Sequence, residues 1–324
     1  MRGLLLVALL LAATLAALLL GQVSMPFSML WEGLTTGQGP GAMVIGNIRG
    51  PRVLTGLGAG AVLGLSGALF QTVLRNPLAA PYVMGFTSGA GLAIIAAIAF
   101  GFSAPMPLVA AAGGAVAALL VAGLSWRPGH ATPPLTLILV GLGIGFLCAA
   151  FSTFLMTLLP HAEAVEAQRW LTGSLAARNW THAAQVWGLG LVLVIAALAQ
   201  VRALSALELG EELAAGLGIG VERMRWTLAA TGVLLAAAGV AVAGPVPFVA
   251  LMSGPLGQRI TGARSLAGRL LSAAGAGALV LVLADLAARG AVPGLQLPAG
   301  VTTGILGAPY LLWRLSREME RGGL

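Results

Sequence analysis

Apolar runs recur along the whole chain, and they limit its fold more than any other feature. A run of about 20 such residues forms a helix that crosses the roughly 30 Å hydrocarbon core of a bilayer. Only 8% of the residues are charged, whereas soluble domains carry about 25%. The sequence therefore predicts an all-α polytopic membrane protein, with a single transmembrane domain over residues 1–324 and no soluble domain.

We place about ten transmembrane helices on these runs. The first, 4–20, is interpreted as a retained span, because its apolar core exceeds the roughly 7–15 residues of a signal peptide. The eighth is short, and we expect Gly254 and Pro255 to interrupt it and to place it against protein or a cavity. The predicted spans are 4–20, 53–74, 83–102, 106–125, 135–159, 184–201, 226–243, 248–260, 270–288 and 299–314.

The distribution of arginine predicts the orientation. An even number of spans places both termini on one side, and a cytoplasmic location for that side gives 12 arginines inside and 5 outside. This split satisfies the positive-inside rule, and the reverse orientation violates it. The inside set is Arg2, Arg75, Arg127, Arg202, Arg223, Arg225, Arg259, Arg264, Arg269, Arg314, Arg317 and Arg321; the outside set is Arg49, Arg52, Arg169, Arg178 and Arg289.

Several function classes are disfavoured by composition. All 17 basic residues are arginine, so the chain lacks the lysine of a Walker A loop and is not itself a P-loop ATPase. The arginines are scattered between spans rather than clustered in a stripe, which argues against nucleic acid. His130, His161 and His182 are far apart, and Cys148 lies in an apolar span, so no metal-ligand spacing exists. We predict no metal, no cofactor and no enzymatic activity.

Charged residues at two span ends are the first candidate site. Pro51 is a natural first residue of a helix, so span 2 is expected to begin there, with Arg49 and Arg52 at its N-terminus. The helix dipole disfavours cations at that position, and either an anionic partner or snorkelling to lipid headgroups offsets this. Asp285 has Arg289 at i+4 on the same helix face, which favours a local ion pair over a proton relay.

The polar loop after span 6 is the second candidate site. Ser205 and Glu208 match a capping box, and Gly216 or Gly218 can end the helix, so we predict an amphipathic helix over about 205–217. An ordinary interfacial connector is the alternative. The candidate residues in this segment are Leu207, Gly210, Glu211, Glu212, Leu213 and Leu217.

Span 2 carries two structural motifs. Gly56, Gly60 and Gly64 follow a spacing of four, which lets another helix approach closely. After the span, Pro77 ends the helix and Asn76 can cap freed backbone groups.

Taken together, the motifs resemble the FecCD-type permeases of ABC importers for iron-siderophores, haem and vitamin B12. The resemblance extends over nearly the whole chain and implies a type II ABC importer permease fold. The chain departs from it at 252–255, which reads Met-Ser-Gly-Pro where many members have Val-Pro-His. The matching stretches are Arg-Gly-Pro-Arg at 49–52, Arg-Asn-Pro-Leu-Ala-Ala-Pro at 75–81, Ala-Gly-Pro-Val-Pro-Phe-Val at 243–249, Ala-Asp-Leu-Ala-Ala-Arg at 284–289 and Leu-Pro-Ala-Gly-Val-Thr at 297–302.

The resemblance implies partners for both candidate sites. Arg49, Arg52 and Arg289 would receive glutamates from a periplasmic or lipid-anchored substrate-binding protein. The 205–217 segment would be the coupling helix that docks on two ATP-binding subunits. A second permease chain would complete the pathway, and the departure at Gly254 favours a non-identical one.

The expected function is import of a ferric siderophore across the bacterial cytoplasmic (inner) membrane. A vitamin B12 or haem permease is the near alternative. An ATP-independent secondary carrier is the distant one, since it would not need a coupling helix and would be expected to show more buried acids.

Overall fold

The computed structural model describes residues 2–102, 104–126, 133–290 and 296–320. Every regular element within these ranges is helical, which confirms the predicted fold class. Arg127, His130 and Arg321, which entered the predictions above, lie outside the described residues. The elements are α1 Arg2–Leu19, α2 Phe27–Thr36, α3 Gly39–Met43, a π-helical turn Val44–Arg49, α4 Gly50–Val73, a 3₁₀ turn Pro81–Met84, α5 Phe86–Ala99, α6 Met106–Ser125, α7 Pro134–Leu158, α8 His161–Leu171, α9 Trp180–Ala199, α10 Val201–Leu209, α11 Glu211–Gly216, α12 Val221–Ala243, α13 Val249–Thr261, α14 Leu266–Gly290 and α15 Ala299–Glu320.

Each of the ten predicted spans coincides with a helix, but not all of these helices are typical spans. Within the described ranges, seven helical segments are long and apolar enough to cross a membrane. Helices α5 and α13 are shorter, with 14 and 13 residues, and α15 is longer but amphipathic. The count of ten is therefore approximate.

Helix α4 is the centre of the bundle and packs against α12, α13 and α14. Its glycines explain the close approach to α14. A Cβ on Gly60 would lie 2.7 Å from the Cα of Ala278, and a Cβ on Gly64 would overlap the carbonyl oxygen of Ala273. The predicted close-packing role of these glycines is confirmed, because only a residue without a side chain fits there.

The start of span 2 differs from the prediction. The helix begins at Gly39 and runs without a break to Val73, so Arg49 and Arg52 lie in its interior rather than at its N-terminus. The π-helical turn ends just before Pro51, and the Gly50 N–H donates to the Ile45 carbonyl five residues back. The wider turn accommodates a proline that cannot donate a backbone hydrogen bond. The prediction that the helix dipole disfavours these two arginines was therefore wrong.

The eighth span is short but not interrupted, which also corrects the prediction. Helix α13 continues through Gly254 and Pro255. Pro255 leaves the Leu251 carbonyl without its helical donor, and the Nε2 of Gln71 on α4 donates to that oxygen at 2.9 Å. A Cβ at position 254 would overlap the Gln71 amide. Gly254 thus leaves room for the Gln71 side chain, which donates the hydrogen bond that Pro255 cannot.

The segment 205–217 is two helices rather than one. Gly210 separates α10 from α11 with φ of 128°, a backbone conformation that L-residues rarely adopt. Ser205 lies inside α10, so the predicted capping box does not form. Helix α11 ends at Gly216, and Gly218 has a positive φ of 79°, as the predicted stop requires.

Candidate functional site

Arg52, Asp285 and Arg289 form a buried charge cluster between α4 and α14. The Arg52 Nε donates to both Asp285 oxygens, at 3.1 and 3.0 Å, and its Nη2 donates to Oδ1 at 2.8 Å. The Arg289 Nε lies 3.2 Å from the Asp285 Oδ2. The three residues are 8%, 2% and 6% exposed. The expected pair of Asp285 with Arg289 is confirmed, and Arg52 joins it.

Burial makes this cluster sensitive to the loss of any member. A buried charge is stable only when it is paired and its hydrogen-bonding capacity is filled. One carboxylate neutralises one of the two guanidinium groups, so the cluster keeps a formal charge of about +1. Its field therefore favours an additional anion or a set of backbone carbonyls nearby.

The C-terminal end of α1 supplies such carbonyls. The Arg49 Nη1 donates to the carbonyls of Leu18 and Leu19 at 2.7 and 2.8 Å. The Arg289 Nη1 donates to the Ala17 carbonyl at 3.2 Å. These oxygens lack intrahelical partners and carry the negative end of the helix dipole. Arg49 and Arg289 thus fasten the end of α1 to the cluster, a role that the sequence pattern did not indicate.

Arg178, between α8 and α9, adds a fourth cation beside the cluster. Its Nε and Nη2 donate to the Ser174 carbonyl at 3.3 and 3.1 Å. Burial lowers the pKa of Arg178, and the cationic charge of Arg52 lowers this pKa further. Sequence reasoning missed this residue, because nothing in its local pattern relates it to α4. We name this region, with Arg49, Arg52, Arg178, Asp285 and Arg289, the Arg52 end of the bundle.

The opposite end of α4 contacts α10. Residues 52 and 71 are separated by roughly 30 Å of helix at 1.5 Å per residue. Arg75 adopts a left-handed conformation with φ of 48°, and its Nη2 donates to the Leu207 carbonyl. The Asn76 Oδ1 accepts from the Leu78 N–H at 2.8 Å, so Asn76 and Pro77 shape a turn after α4. The motif was predicted only to end the helix and cap it, and the contact of Arg75 with α10 adds a second structural role.

A second contact joins α10 to α14. The Arg269 Nη2 donates to both carboxylate oxygens of Glu208, with 2.6 Å to Oε2. Glu208 therefore pairs across helices instead of capping its own. We name this region, with Arg75, Leu207, Glu208 and Arg269, the Glu208 end. The start of α1 and the last turns of α15 lie near it, since the Arg2 side chain is close to Gly262 and Arg314 lines a cavity with Glu208.

Three leucines are exposed on α10, on α11 and just after α11 at the Glu208 end, and we name them the leucine stripe. Leu209, Leu213 and Leu217 are 65%, 61% and 67% exposed. Leu207 is only 8% exposed and anchors α10 to the core. The sequence analysis included Leu207 as a candidate residue and omitted Leu209. Glu212 is exposed beside the stripe, and Gly210 forms the break between the two helices.

Three glycine-containing segments that are far apart in the sequence meet beside Ser174, whose carbonyl accepts from Arg178. The Ser174 N–H donates to the Ala243 carbonyl at 2.8 Å, and the Gly300 N–H donates to the Gly173 carbonyl at 3.1 Å. A Cβ on Gly244 would lie 3.0 Å from the Gly173 Cα. Beside this junction is a cavity of about 430 Å³. Its walls are mainly apolar, and its residues are Leu63, Pro81, Tyr82, Thr87, Leu171, Ala236, Val240, Pro245, Val246, Pro247, Phe248, Ala250, Leu251 and Leu311.

In the part of the chain that the structure describes, no group of three or more His, Cys, Asp or Glu residues could hold a metal ion. His182 instead forms a capping box with Asn179 at the start of α9. The polar side chains described at the two ends form ion pairs or bind backbone groups.

Comparison with known proteins gives the family. Residues 9–317 match the FecCD transport family. The chain is 38% identical over 305 residues to the ferric enterobactin transport system permease protein FepG of Escherichia coli (strain K12), covering 93% of this chain and 91% of that protein. It is 37% identical over 284 residues to the Fe(3+)-citrate import system permease protein YfmE of Bacillus subtilis (strain 168), covering 86% and 83%. A solved inward-facing structure of a metal-chelate type ABC transporter superposes with a TM-score of 0.83 at 28% identity, over 96% of this chain and 97% of that chain. These matches confirm the predicted resemblance, and the chain belongs to the FecCD transport family.

Proposed function

We propose that this chain is the membrane-spanning subunit of an ABC importer that carries a ferric siderophore across the cytoplasmic membrane of a bacterium. Separate ATP-binding subunits supply the energy, and the chain itself catalyses no reaction. The observation that carries the proposal is the similarity to two permeases named for ferric chelates. The identity is 38% and 37%, and the matches cover 93% and 86% of this chain. The apolar cavity beside the glycine junction supports it, since such walls suit a bulky chelate held without strong specific contacts.

At the Arg52 end, Arg49, Arg52 and Arg289 are the proposed docking residues for a periplasmic or lipid-anchored binding protein. The excess positive charge of the cluster favours an incoming carboxylate. Arg52 and Arg289 are buried and bound to Asp285, whereas Arg49 is held only by neutral carbonyls. We therefore expect Arg49 to make the first contact, with the other two exchanging partners as docking proceeds.

At the Glu208 end, α10 and α11 are the proposed coupling helices. The exposed leucine stripe supplies an apolar surface for a groove on an ATP-binding subunit, and Glu212 is exposed beside it. Arg75 and Arg269 connect this surface to α4 and α14. A movement of the coupling helices is thereby passed to the two helices that also hold the charge cluster.

The secondary-carrier alternative is disfavoured by Asp285. A proton-coupled carrier needs an acid that can gain and lose a proton within the membrane. Asp285 is instead the shared partner of two guanidinium groups, and its contacts hold α4 against α14.

A second permease chain would complete the pathway, and we favour a non-identical one. The sequence favoured this because Gly254 lacks the polar group that many family members have there. Gln71 of the same chain supplies a polar group at this place. The apolar helix α7, with only 17% of its most apolar stretch buried, leaves room for a second permease chain of either kind. Purification with ATP-binding subunits alone tests the point. A stable two-plus-two complex that transports in liposomes would refute a non-identical partner.

The transport proposal is tested in proteoliposomes that contain the assembled importer and its binding protein. We expect ATP-dependent uptake of ⁵⁵Fe bound to a catecholate, hydroxamate or citrate chelator, and no uptake with a non-hydrolysable ATP analogue. Uptake of labelled cobalamin or haem without uptake of any ferric chelate would establish the near alternative. Uptake that persists without ATP would establish a secondary carrier.

A further inference from the structure

Two adjoining cavities lie between α13 and α15 at the Glu208 end. The first, of about 480 Å³, reaches the ends of α4, α10 and α14. The second, of about 390 Å³, opens along α15. They share Pro255, Arg259 and Arg314 in their walls. Neither has been given a role by the docking, coupling or translocation proposals above.

The walls of the two cavities are strongly basic. Among their described lining residues Glu208 is the single acid, and it is paired with Arg269 at 2.6 Å. A cavity with several guanidinium groups and one carboxylate attracts an oxygen-rich anion, because guanidinium groups bind phosphate and carboxylate in a fixed two-pronged geometry. The five arginines that line the cavities are Arg75, Arg259, Arg269, Arg314 and Arg317.

Trp313 brings two of these arginines together. The Cζ atoms of Arg259 and Arg317 lie 5.8 and 5.3 Å from the centroid of its indole ring. Each contact is a favourable cation–π interaction. Two cations beside one ring nevertheless repel each other, and an anion in the adjoining cavity would offset that repulsion. Trp313 thus brings both guanidinium groups to the wall of the second cavity.

The same face of α15 extends away from the arginines as an apolar surface. Leu306, Tyr310, Trp313 and Arg317 follow a spacing of four, three and four, so they share one side of the helix. Leu306 is 53% exposed. Tyrosine and tryptophan rings are typical of the headgroup level of a bilayer. A ligand with an anionic head and an apolar tail matches this order of residues.

We propose that the cleft between α13 and α15 binds the phosphate of an anionic phospholipid headgroup, with an acyl chain along the Leu306 face. Arg259 and Arg317 contact the phosphate, and Trp313 positions them. Basic pockets between transmembrane helices commonly bind such headgroups. Glu208 and Gln71 line the same cavity, and Gln71 donates to the Leu251 carbonyl of α13, so an occupant there stabilises the packing of α13 against α4.

The test uses the full-length chain in nanodiscs of equal parts phosphatidylglycerol and phosphatidylcholine. Native mass spectrometry after release measures the lipids that remain bound. We expect phosphatidylglycerol to be enriched on the wild-type chain, and the Arg259→Gln/Arg317→Gln variant to lose that enrichment by about tenfold. The matched control, Arg223→Gln/Arg264→Gln, removes two exposed charges that do not line these cavities, and we expect it to keep the enrichment.

Further variants and a phosphate control separate lipid binding from simple charge effects. Arg259→Lys/Arg317→Lys retains the charge and is expected to keep most of the bound lipid. If the double glutamine variant does not fold, the exposed single variant Arg317→Gln is measured instead, with a smaller loss expected. Equal losses in cavity and control variants, or full retention in both, would overturn the proposal. Thermal stabilisation by inorganic phosphate that matches stabilisation by phosphatidylglycerol would also overturn it, since the site would then take any small anion.

Discussion

Arg52 and Asp285 are 233 residues apart in the chain and are joined by three hydrogen bonds of 2.8–3.1 Å between buried groups. One residue comes from a proline-containing helix interior and the other from the end of α14. The contact therefore fixes the relative position of the two most closely packed helices in the bundle. Arg52 is also one of the three arginines that the family resemblance relates to docking.

Replacing Asp285 with Asn is expected to destabilise the protein strongly. The change leaves two buried guanidinium groups without a counter-charge, and breaking a buried pair costs ~3–5 kcal/mol. The apparent melting temperature of the purified chain in detergent measures the effect.

A matched control for this variant removes both charges. Arg52→Met/Asp285→Leu is expected to lose less stability than Asp285→Asn, because it leaves fewer uncompensated charges. A double variant that melts lower than Asp285→Asn would mean that the pair itself contributes more than its burial costs.

Replacing Gln71 with Leu is expected to lower stability by ~1–3 kcal/mol, because the Leu251 carbonyl loses its donor inside the bundle. Pro255→Ala restores a backbone N–H to that carbonyl. The double variant Gln71→Leu/Pro255→Ala should therefore recover part of the loss, and thermal unfolding of the four proteins gives the coupling. Strict additivity of the two changes would show that Gln71 does not repair the helix.

Gly277→Ala is expected to disrupt the contact of α14 with α4. A Cβ at this position would lie 2.9 Å from the Gly64 Cα and would overlap the Gly60 carbonyl. Overpacking of this kind costs ~1–3 kcal/mol. Gly304→Ala is the matched control, since no atom lies within 4 Å of its added Cβ. Similar melting temperatures for the two variants would contradict the proposed tightness of the interface.

Leu213→Asp and Glu212→Arg are expected to lower ATP hydrolysis stimulated by loaded binding protein, without unfolding the permease. Both residues lie on the exposed side of α11, and a charge in an apolar groove costs free energy unless it is paired. Glu163→Arg, an exposed change on α8, is the control. Hydrolysis that still responds fully in the α11 variants would mean that the ATP-binding subunit docks elsewhere.

Arg49→Glu is expected to weaken binding of the substrate-binding protein by ~2–5 kcal/mol, measured as the dissociation constant on reconstituted permease. Arg49 is a cleaner probe than Arg52, because Arg52→Glu also places a second carboxylate beside Asp285. A compensating Glu-to-Arg change on the binding protein should restore part of the affinity. An unaltered dissociation constant for Arg49→Glu would exclude this arginine from docking.

The sequence by itself determined the class of the protein and the positions of its helices. The length of an apolar run, its hydrophobic periodicity and its lack of charge decide whether it enters a bilayer. All three are local properties of the sequence. The i+4 spacing of Asp285 and Arg289 and the glycine spacing of α4 were likewise readable, since both depend on the geometry of a single helix. The family motifs gave candidate residues for the two ends.

Tertiary structure decided which groups satisfy one another. Gln71 repairs α13, Arg49 caps α1, Arg75 holds α10, and Glu208 pairs with Arg269 instead of capping its own helix. Each of these joins residues more than 25 positions apart, and sequence spacing carries no information on such contacts. The physical reason is that a proline or a helix end creates an unpaired carbonyl locally, but the donor that fills it depends on which helix packs alongside.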